Sequence, residues 1–165
     1  MIKIRNVKME DLKQLVIIEN LCFLKEEAAT KNAFEKRIEL IPDSFFVAEV
    51  DGKIAGLVNG PVIDNVYITD DLFSMTKRNP AKGGHQSILG LAVSPHFQRL
   101  GVAAALLAHL EKEARTNKRE TITLTCKQGL IRFYEKLGYR NCGESASKHG
   151  GVSWFNMCKK LDEFN

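Results

Sequence analysis

The sequence predicts an α/β fold, a mixed β-sheet with helices on its faces, and three stretches carry that prediction. Ser44 to Val50 and Lys53 to Val58 are apolar, β-branched and aromatic runs joined by Asp51-Gly52, a turn pair that favours a two-residue hairpin. Gln86 to Val93 is an apolar run of strand length. After a glycine-bearing turn, the chain from about Leu100 to Thr116 sets Ala103, Leu106, Leu107, Leu110 and Ala114 on one helical face. Thr121 to Thr125 is again β-branched. The short helix that follows, marked by Leu130, Ile131, Phe133, Tyr134 and Leu137, is closed by Gly138.

The remaining elements fall into place around these. Ile2 to Arg5 alternates apolar and basic residues as a strand does, and Asp11 to Cys22 carries Leu12, Leu15, Val16 and Leu21 near helical spacing. From Lys25 to Ile41 the apolar positions Ala33, Phe34, Ile38 and Ile41 predict a second helix, ended by Pro42 and joined to the first by a short acidic turn. Asn59 to Gly84 has no clear period, contains Pro61, Pro80 and Gly83-Gly84, and is longer than a structural connection needs, which is usual for a binding element. Val152 to Cys158 reads as the final strand. With no repeat, linker or low-complexity segment, residues 1–165 are expected to form one domain.

Composition excludes several classes. Apolar residues make up 44% and charged residues 27%, as in an ordinary globular chain rather than a disordered or membrane one. The N-terminus lacks the apolar stretch of a secretion signal, and no window approaches the ~18 apolar residues of a membrane span, so a cytoplasmic protein is expected. Cys22, Cys126, Cys142 and Cys158 lack metal-site spacing and read as free thiols; no metal is expected. A net charge of +4, spread along the chain, suits attraction of a polyanionic small molecule but lacks the concentrated basic stripe of a nucleic-acid binder.

The stretch with the most chemistry is Gln98-Arg99-Leu100-Gly101-Val102-Ala103, between a strand and a helix. There unpaired backbone N–H groups and the positive end of the helix dipole can hold phosphate oxygens, and Gly101 and Ala103 keep side chains out of the way. Read alone, the same string also fits a plain strand-to-helix turn. Neither the P-loop pattern nor the dinucleotide fingerprint is present.

Taken together, Leu89-Gly90-Leu91-Ala92-Val93-Ser94-Pro95, then Phe97 to Ala103, then Phe133-Tyr134-Glu135-Lys136-Leu137-Gly138-Tyr139 resemble the GNAT superfamily of N-acetyltransferases over nearly the whole chain. Cys126 with Phe133 to Tyr139 resembles the branch that holds the arylalkylamine (serotonin) N-acetyltransferases and their bacterial relatives. The resemblance implies a mixed, mostly antiparallel central sheet of about six to seven strands with about four helices on its faces. It implies acetyl-CoA as co-substrate, with backbone groups of Leu91, Ala92 and Val93 serving the pantetheine arm. The amides of Arg99, Leu100, Gly101, Val102, Ala103 and Ala104 would serve the pyrophosphate, with Phe133 and Tyr134 beside the coenzyme. Tyr134 would be the general acid at the departing sulfur after direct attack by the amine through a tetrahedral intermediate, although the same residue also fits a core aromatic. Oxyanion donors are expected from the backbone of Leu89-Gly90-Leu91, near a bulge.

The acceptor half is less marked. An amine is mostly protonated at neutral pH and needs a base. The histidine pair of the arylalkylamine enzymes aligns with Ser87 and Leu89, which leaves His85 at the strand's start, Glu26 or Glu27 in the first interhelical turn, and His149 as candidates. His96 and His109 read as exposed. Cys126 has no partner beyond Lys127 to activate it as a nucleophile, and reads as a buried thiol. Asp64, Asp70 and Asp71 could attract a cationic substrate. The expected function is transfer of acetyl to the primary amine of a small molecule. The alternatives are a peptide or protein N-terminal acetyltransferase and a non-catalytic acetyl-CoA-binding module. The expected partners are acetyl-CoA and an amine acceptor, with no nucleic acid and no membrane, and the sequence leaves room for a homodimer.

Overall fold

A computed structural model describes residues 1–147 and 149–161, with His149 described by its backbone alone, so the His149 side chain lies outside the described residues. The strands are β1 (Ile2–Asn6), β2 (Phe45–Val50), β3 (Lys53–Asn59), β4 (Val62–Ile63), β5 (His85–Ile88), β6 (Gly90–Val93), β7 (Thr121–Cys126), β8 (Arg140–Glu144) and β9 (Phe155–Lys160). The helices are α1 (Leu12–Cys22), α2 (Lys31–Leu40), α3 (Val102–Thr116) and α4 (Ile131–Lys136). Counting β5 and β6 as the halves of one strand and setting aside the two-residue β4, this is the seven-strand, four-helix α+β arrangement expected. No described helix is long and apolar enough to cross a membrane.

Two hydrogen-bonded sheets run in the orders β1-β2-β3-β6 and β4-β5-β7-β9-β8. Every pairing is antiparallel except β5 with β7. Side-chain alternation explains why β2 is buried on both faces. Phe46, Ala48 and Val50 pack under α3 with Leu106, Leu107 and Leu110, while Phe45 and Val47 pack under α1 and α2 with Leu15, Ile18 and Phe34. The hairpin turns through Asp51 (φ 52°) and Gly52 (φ 77°), both left-handed as a two-residue hairpin turn of this kind requires.

The second helix starts later than its apolar spacing suggests. Thr30, not Lys25, caps it, its hydroxyl accepting from the Ala33 amide at 3.1 Å. The preceding residues fold into a turn in which the amides of Glu27 and Ala28 both donate to the Leu24 carbonyl. That turn lies over the site described below.

The joint between the sheets is the part of the fold that matters most for function. The chain leaves β3 through Gly60 and Pro61 and passes directly against β5. The Ser87 amide and hydroxyl donate to the Pro61 carbonyl at 3.1 and 2.6 Å, and Gln86 Nε2 donates to the Gly60 carbonyl at 2.7 Å. A Cβ at Gly60 would sit 2.1 Å from the Ser87 carbonyl oxygen, a backbone atom that cannot swing away. Gly60→Ala is therefore expected to cost about 3 kcal/mol or more, the upper range for overpacking. Urea unfolding of the variant checks this, and an unchanged midpoint would show that the joint yields.

Candidate active site

At the joint, one strand is shared between two sheets. β5 pairs in parallel with β7 as far as Ile88 opposite Leu124, and β6 then turns to β3, opposite Gly56 to Asn59. The Leu89 amide donates to the Asn59 carbonyl at 2.8 Å, while Gly90 is the ladder partner of Asn59, so two residues stand against one. That is a β-bulge, and it bends the strand away from Thr125 and Cys126 of β7. A wedge opens between the two sheets.

The antiparallel ladder decides which backbone groups face this wedge. Because the Ser94 amide bonds the Ala55 carbonyl, alternation makes Ala92–Leu57 a bonded pair as well, and Leu91 and Val93 present their N–H and C=O groups to the other side. The Val93 carbonyl does face outward: it accepts from Cys22 Sγ and from Gln98 Nε2, each at 3.2 Å. Of the three residues assigned to the pantetheine arm, Leu91 and Val93 thus turn their backbone groups away from β3, and Leu91 is among the cavity walls. Ala92 uses its backbone groups on β3.

Beyond β6 the chain reaches α3 through two left-handed residues, Arg99 (φ 65°) and Gly101 (φ 84°), with Leu100 exposed between them. The first intrahelical bond runs from the Ala105 amide to the Gly101 carbonyl at 3.0 Å, so the amides of Val102, Ala103 and Ala104 lie in the turn that no helical carbonyl serves. A Cβ at Gly101 would meet nothing within 4 Å, so the backbone lies open there. Such a nest of N–H groups at the positive end of a fifteen-residue helix suits a pyrophosphate. The Val102 side chain is buried in the core, so only its amide is available.

A cavity of about 410 Å³ occupies the wedge. Its floor is Leu89, Gly90 and Leu91 on one side and Leu124, Thr125 and Cys126 on the other, with Tyr134 of α4 against it. Tyr134 is 5% exposed and held edge-on between Phe133 at 5.0 Å and Tyr139 at 5.5 Å, so its ring packs in the core while the residue lines the cavity. Burial, with a smaller push from Cys126, raises its phenol well above the usual range. Phe133 positions Tyr134 and is not one of the cavity walls.

The opposite end is built by Glu19, Cys22, Leu24 and Glu27 around the first interhelical turn, by Phe73, and by Ser147 and Trp154 of the β8–β9 connection. Glu27 is tied to Lys127 Nζ at 2.6 Å, and Glu26 is exposed. His85 is buried outside the cavity, its Nδ1 at 2.8 Å from Thr121 Oγ1, so the structure does not bring it to Tyr134. Ser87 spends its hydroxyl on Pro61, and Asp70 and Asp71 bond Ser147 and Thr69 rather than line the cavity. The residue that spacing did not single out is Glu19. It sits in the helical pattern of α1 beside Ile18, where a carboxylate looks like part of a solvated face, yet it is 3% exposed and lines the cavity.

Cys126 also lines the cavity, and burial pushes its thiol to about 11, so at neutral pH it is not a thiolate. Intact-mass measurement after incubation with acetyl-CoA is expected to show no acetyl adduct on the protein. An adduct mapped to Cys126 would establish a covalent route.

The profile of the Acetyltransferase (GNAT) family matches residues 12–139. The chain is 29% identical over 147 residues to an N-alpha-acetyltransferase of Sulfurisphaera tokodaii, covering 84% of this chain and 80% of that protein. Among solved structures it resembles Ard1 from Thermoplasma volcanium, with a TM-score of 0.78, 20% identity and coverage of 98% and 99% of the two chains. It also resembles a GNAT-like decarboxylase in complex with isobutyryl-CoA, with a TM-score of 0.83, 18% identity and coverage of 97% and 100%.

Proposed function

The chain belongs to the acetyltransferase (GNAT) family and is an acetyl-CoA-dependent N-acetyltransferase, and on that premise we propose that its acceptor is the α-amino group of a peptide or protein N-terminus. The observation that carries this reading is the far end of the wedge cavity. Its mouth is rimmed by the exposed apolar side chains of Leu21, Leu24 and Leu130, and Lys127, the one cation among the described residues that line it, is already paired with Glu27. An apolar rim over two buried carboxylates, one of them already neutralised by Lys127, suits one ammonium followed by an uncharged side chain better than it suits a polycation. The N-alpha-acetyltransferase named among the relatives supports the same reading.

This displaces the small-molecule acceptor that the sequence favoured. The acidic loop residues that would have drawn a cationic small molecule, Asp64, Asp70 and Asp71, are not among the cavity walls. The link to arylalkylamine enzymes is weaker for a similar reason. Ser87 is buried with its hydroxyl engaged, and Leu89 supplies bulge backbone rather than an ionisable group.

The residues present fit acetyl-CoA, and the chain acts as one catalytic unit in this reading. The amides of Gly101 through Ala104 would hold the pyrophosphate and the outward groups of Leu91 and Val93 the pantetheine arm. Acetyl-CoA supplies an activated acetyl thioester when bound. The Leu91 amide would donate to the carbonyl oxygen as it gains charge, and the buried phenol of Tyr134 to the departing sulfur. Water is kept from the reacting centre by the apolar walls formed by Leu89, Leu124 and Phe73.

Thiol release from acetyl-CoA, measured with a panel of free and N-blocked peptides, polyamines and arylalkylamines, tests the proposal. Peptides with a free N-terminus and an apolar first residue are expected to have the highest kcat/KM, and N-blocked peptides none. A higher kcat/KM for small amines would return the reading to a small-molecule enzyme, and tight acetyl-CoA binding without release for any amine would favour a binding module.

A further inference from the structure

We infer that Glu19 is the base that takes the proton from the acceptor ammonium, a role that rests on the chain acetylating an amine but not on which amine it is. Glu19 lies in the last turn of α1 and shares the walls of one cavity with the Leu89–Gly90 bulge, Leu91 and Tyr134. Its two carboxylate oxygens are used differently. Oε2 accepts the Ala29 amide at 2.8 Å, which anchors the interhelical turn, while Oε1 is buried without a hydrogen-bond partner among the described residues. Buried carboxylate oxygens are nearly always satisfied, and an exception on a cavity wall calls for an explanation. A turn anchor alone would need a single acceptor, not a charge taken out of water at 3% exposure.

The surroundings keep that carboxylate usable. The fully buried Arg37 of α2 is pinned by Asn59 Oδ1 and by the Phe73 carbonyl, each at 3.1 Å, and its charge favours the ionised form of Glu19. Burial acts more strongly in the other direction and raises the carboxyl, which brings its proton affinity nearer to that of a working base. The other titratable groups around the cavity are less suited. Glu27 of the interhelical turn is paired with Lys127. The thiols of Cys22 on α1 and Cys126 on β7 are raised by burial, and Tyr134 on α4 stays neutral.

In the step itself, an N–H bond of the ammonium breaks, its electron pair stays on nitrogen, and the proton forms an O–H bond on Glu19 Oε1. The freed lone pair is the nucleophile, and the carboxyl later returns its proton to water.

Glu19→Gln keeps an acceptor for the Ala29 amide and removes the base. Relative to the wild type, kcat/KM for the amine is expected to fall about 100-fold or more, with the KM for acetyl-CoA unchanged. The acid limb of the wild-type pH profile should disappear in Glu19→Gln and persist in Glu27→Gln. The thermal midpoint of Glu19→Gln should fall but leave a folded protein, because the buried Arg37 loses its opposite charge and keeps only Asn59 Oδ1 and the Phe73 carbonyl. Activity within about threefold of wild type with the acid limb intact would overturn the inference. If Glu19→Gln does not fold, formate is expected to restore turnover to Glu19→Ala; no rescue in a folded Glu19→Ala, or failure of both variants to fold, makes the carboxylate structural and overturns it. A wild type that turns over small amines rather than peptides overturns the peptide reading alone. A wild type that turns over no amine overturns both.

Discussion

Tyr134→Phe is expected to lower kcat about 100-fold while leaving acetyl-CoA affinity within about twofold, a loss at the lower end of what a positioned proton donor contributes. Both neighbours of the ring are edge-on aromatic contacts that phenylalanine reproduces, so the substitution removes an oxygen and leaves the packing. Burial, and secondarily the nearby Cys126, raises the phenol far above its usual value of about 10. A phenol that holds its proton so firmly is a poor full acid toward a thiolate, whose conjugate acid ionises near 8.5 in an unperturbed thiol such as cysteine. Tyr134 is therefore better suited to hydrogen-bond the sulfur as charge develops than to surrender the proton outright, and a charged hydrogen bond is worth roughly 1.5–3 kcal/mol. Two measurements follow. Single-turnover rates should carry the loss, and the wild-type profile should show no basic limb from this residue below about pH 10. An unchanged single-turnover rate in Tyr134→Phe would return the residue to a purely structural role.

What the sequence shows of this site depends on which physical signal each residue leaves. The hairpin at Asp51-Gly52 and the apolar face of α3 are legible because turn chemistry and a 3.6-residue period are local properties, and both appear where the pattern put them. The left-handed turn and open amides from Arg99 to Ala104 are legible for the same reason. Their geometry follows from one glycine and a helix start.

The break at Leu89 is not visible, since Gln86 to Val93 is evenly apolar; only the competition between β7 and β3 for the same strand shows where it must bend. The distinction between Leu91 and Ala92 depends on ladder phase, which belongs to the pair of strands and not to either one. Glu19 is hidden for a related reason. Its burial comes from Ala29, Arg37 and the joint between sheets, all distant along the chain or outside its own helix, so a carboxylate among apolar residues reads locally as one more polar position on α1.

The largest loss of acetyl-CoA affinity is expected from Gly101→Val. Gly101 sits at φ 84°, ψ 14°, a conformation that costs an L-residue about 1–2 kcal/mol and is a true outlier for a β-branched one. Space does not forbid the side chain, because nothing lies within 4 Å of the added Cβ. The penalty is conformational, and the loop can escape it by rotating residue 101 out of the left-handed region. That rotation turns the amides at the start of α3 away from their common focus. Each charged hydrogen bond to a phosphate oxygen is worth roughly 1.5–3 kcal/mol, so losing one or two should raise the Kd for acetyl-CoA at least 10-fold and up to about 10,000-fold. The first turn of α3 should fray, while its buried residues Leu106, Leu107 and Leu110 hold the rest of the helix on the sheet. Arg99→Ala and Leu100→Ala form the contrast. Both keep the backbone conformation available and remove only exposed side chains, so their Kd should stay within a few-fold of wild type, with Arg99→Ala the weaker binder through loss of a positive charge. Calorimetric titration with CoA and with dephospho-CoA separates the terms: Gly101→Val should weaken both ligands equally, because the pyrophosphate is common to them. If Gly101→Val binds CoA as the wild type does while Arg99→Ala does not, the phosphates are held by side-chain charge rather than by the amides of the left-handed turn.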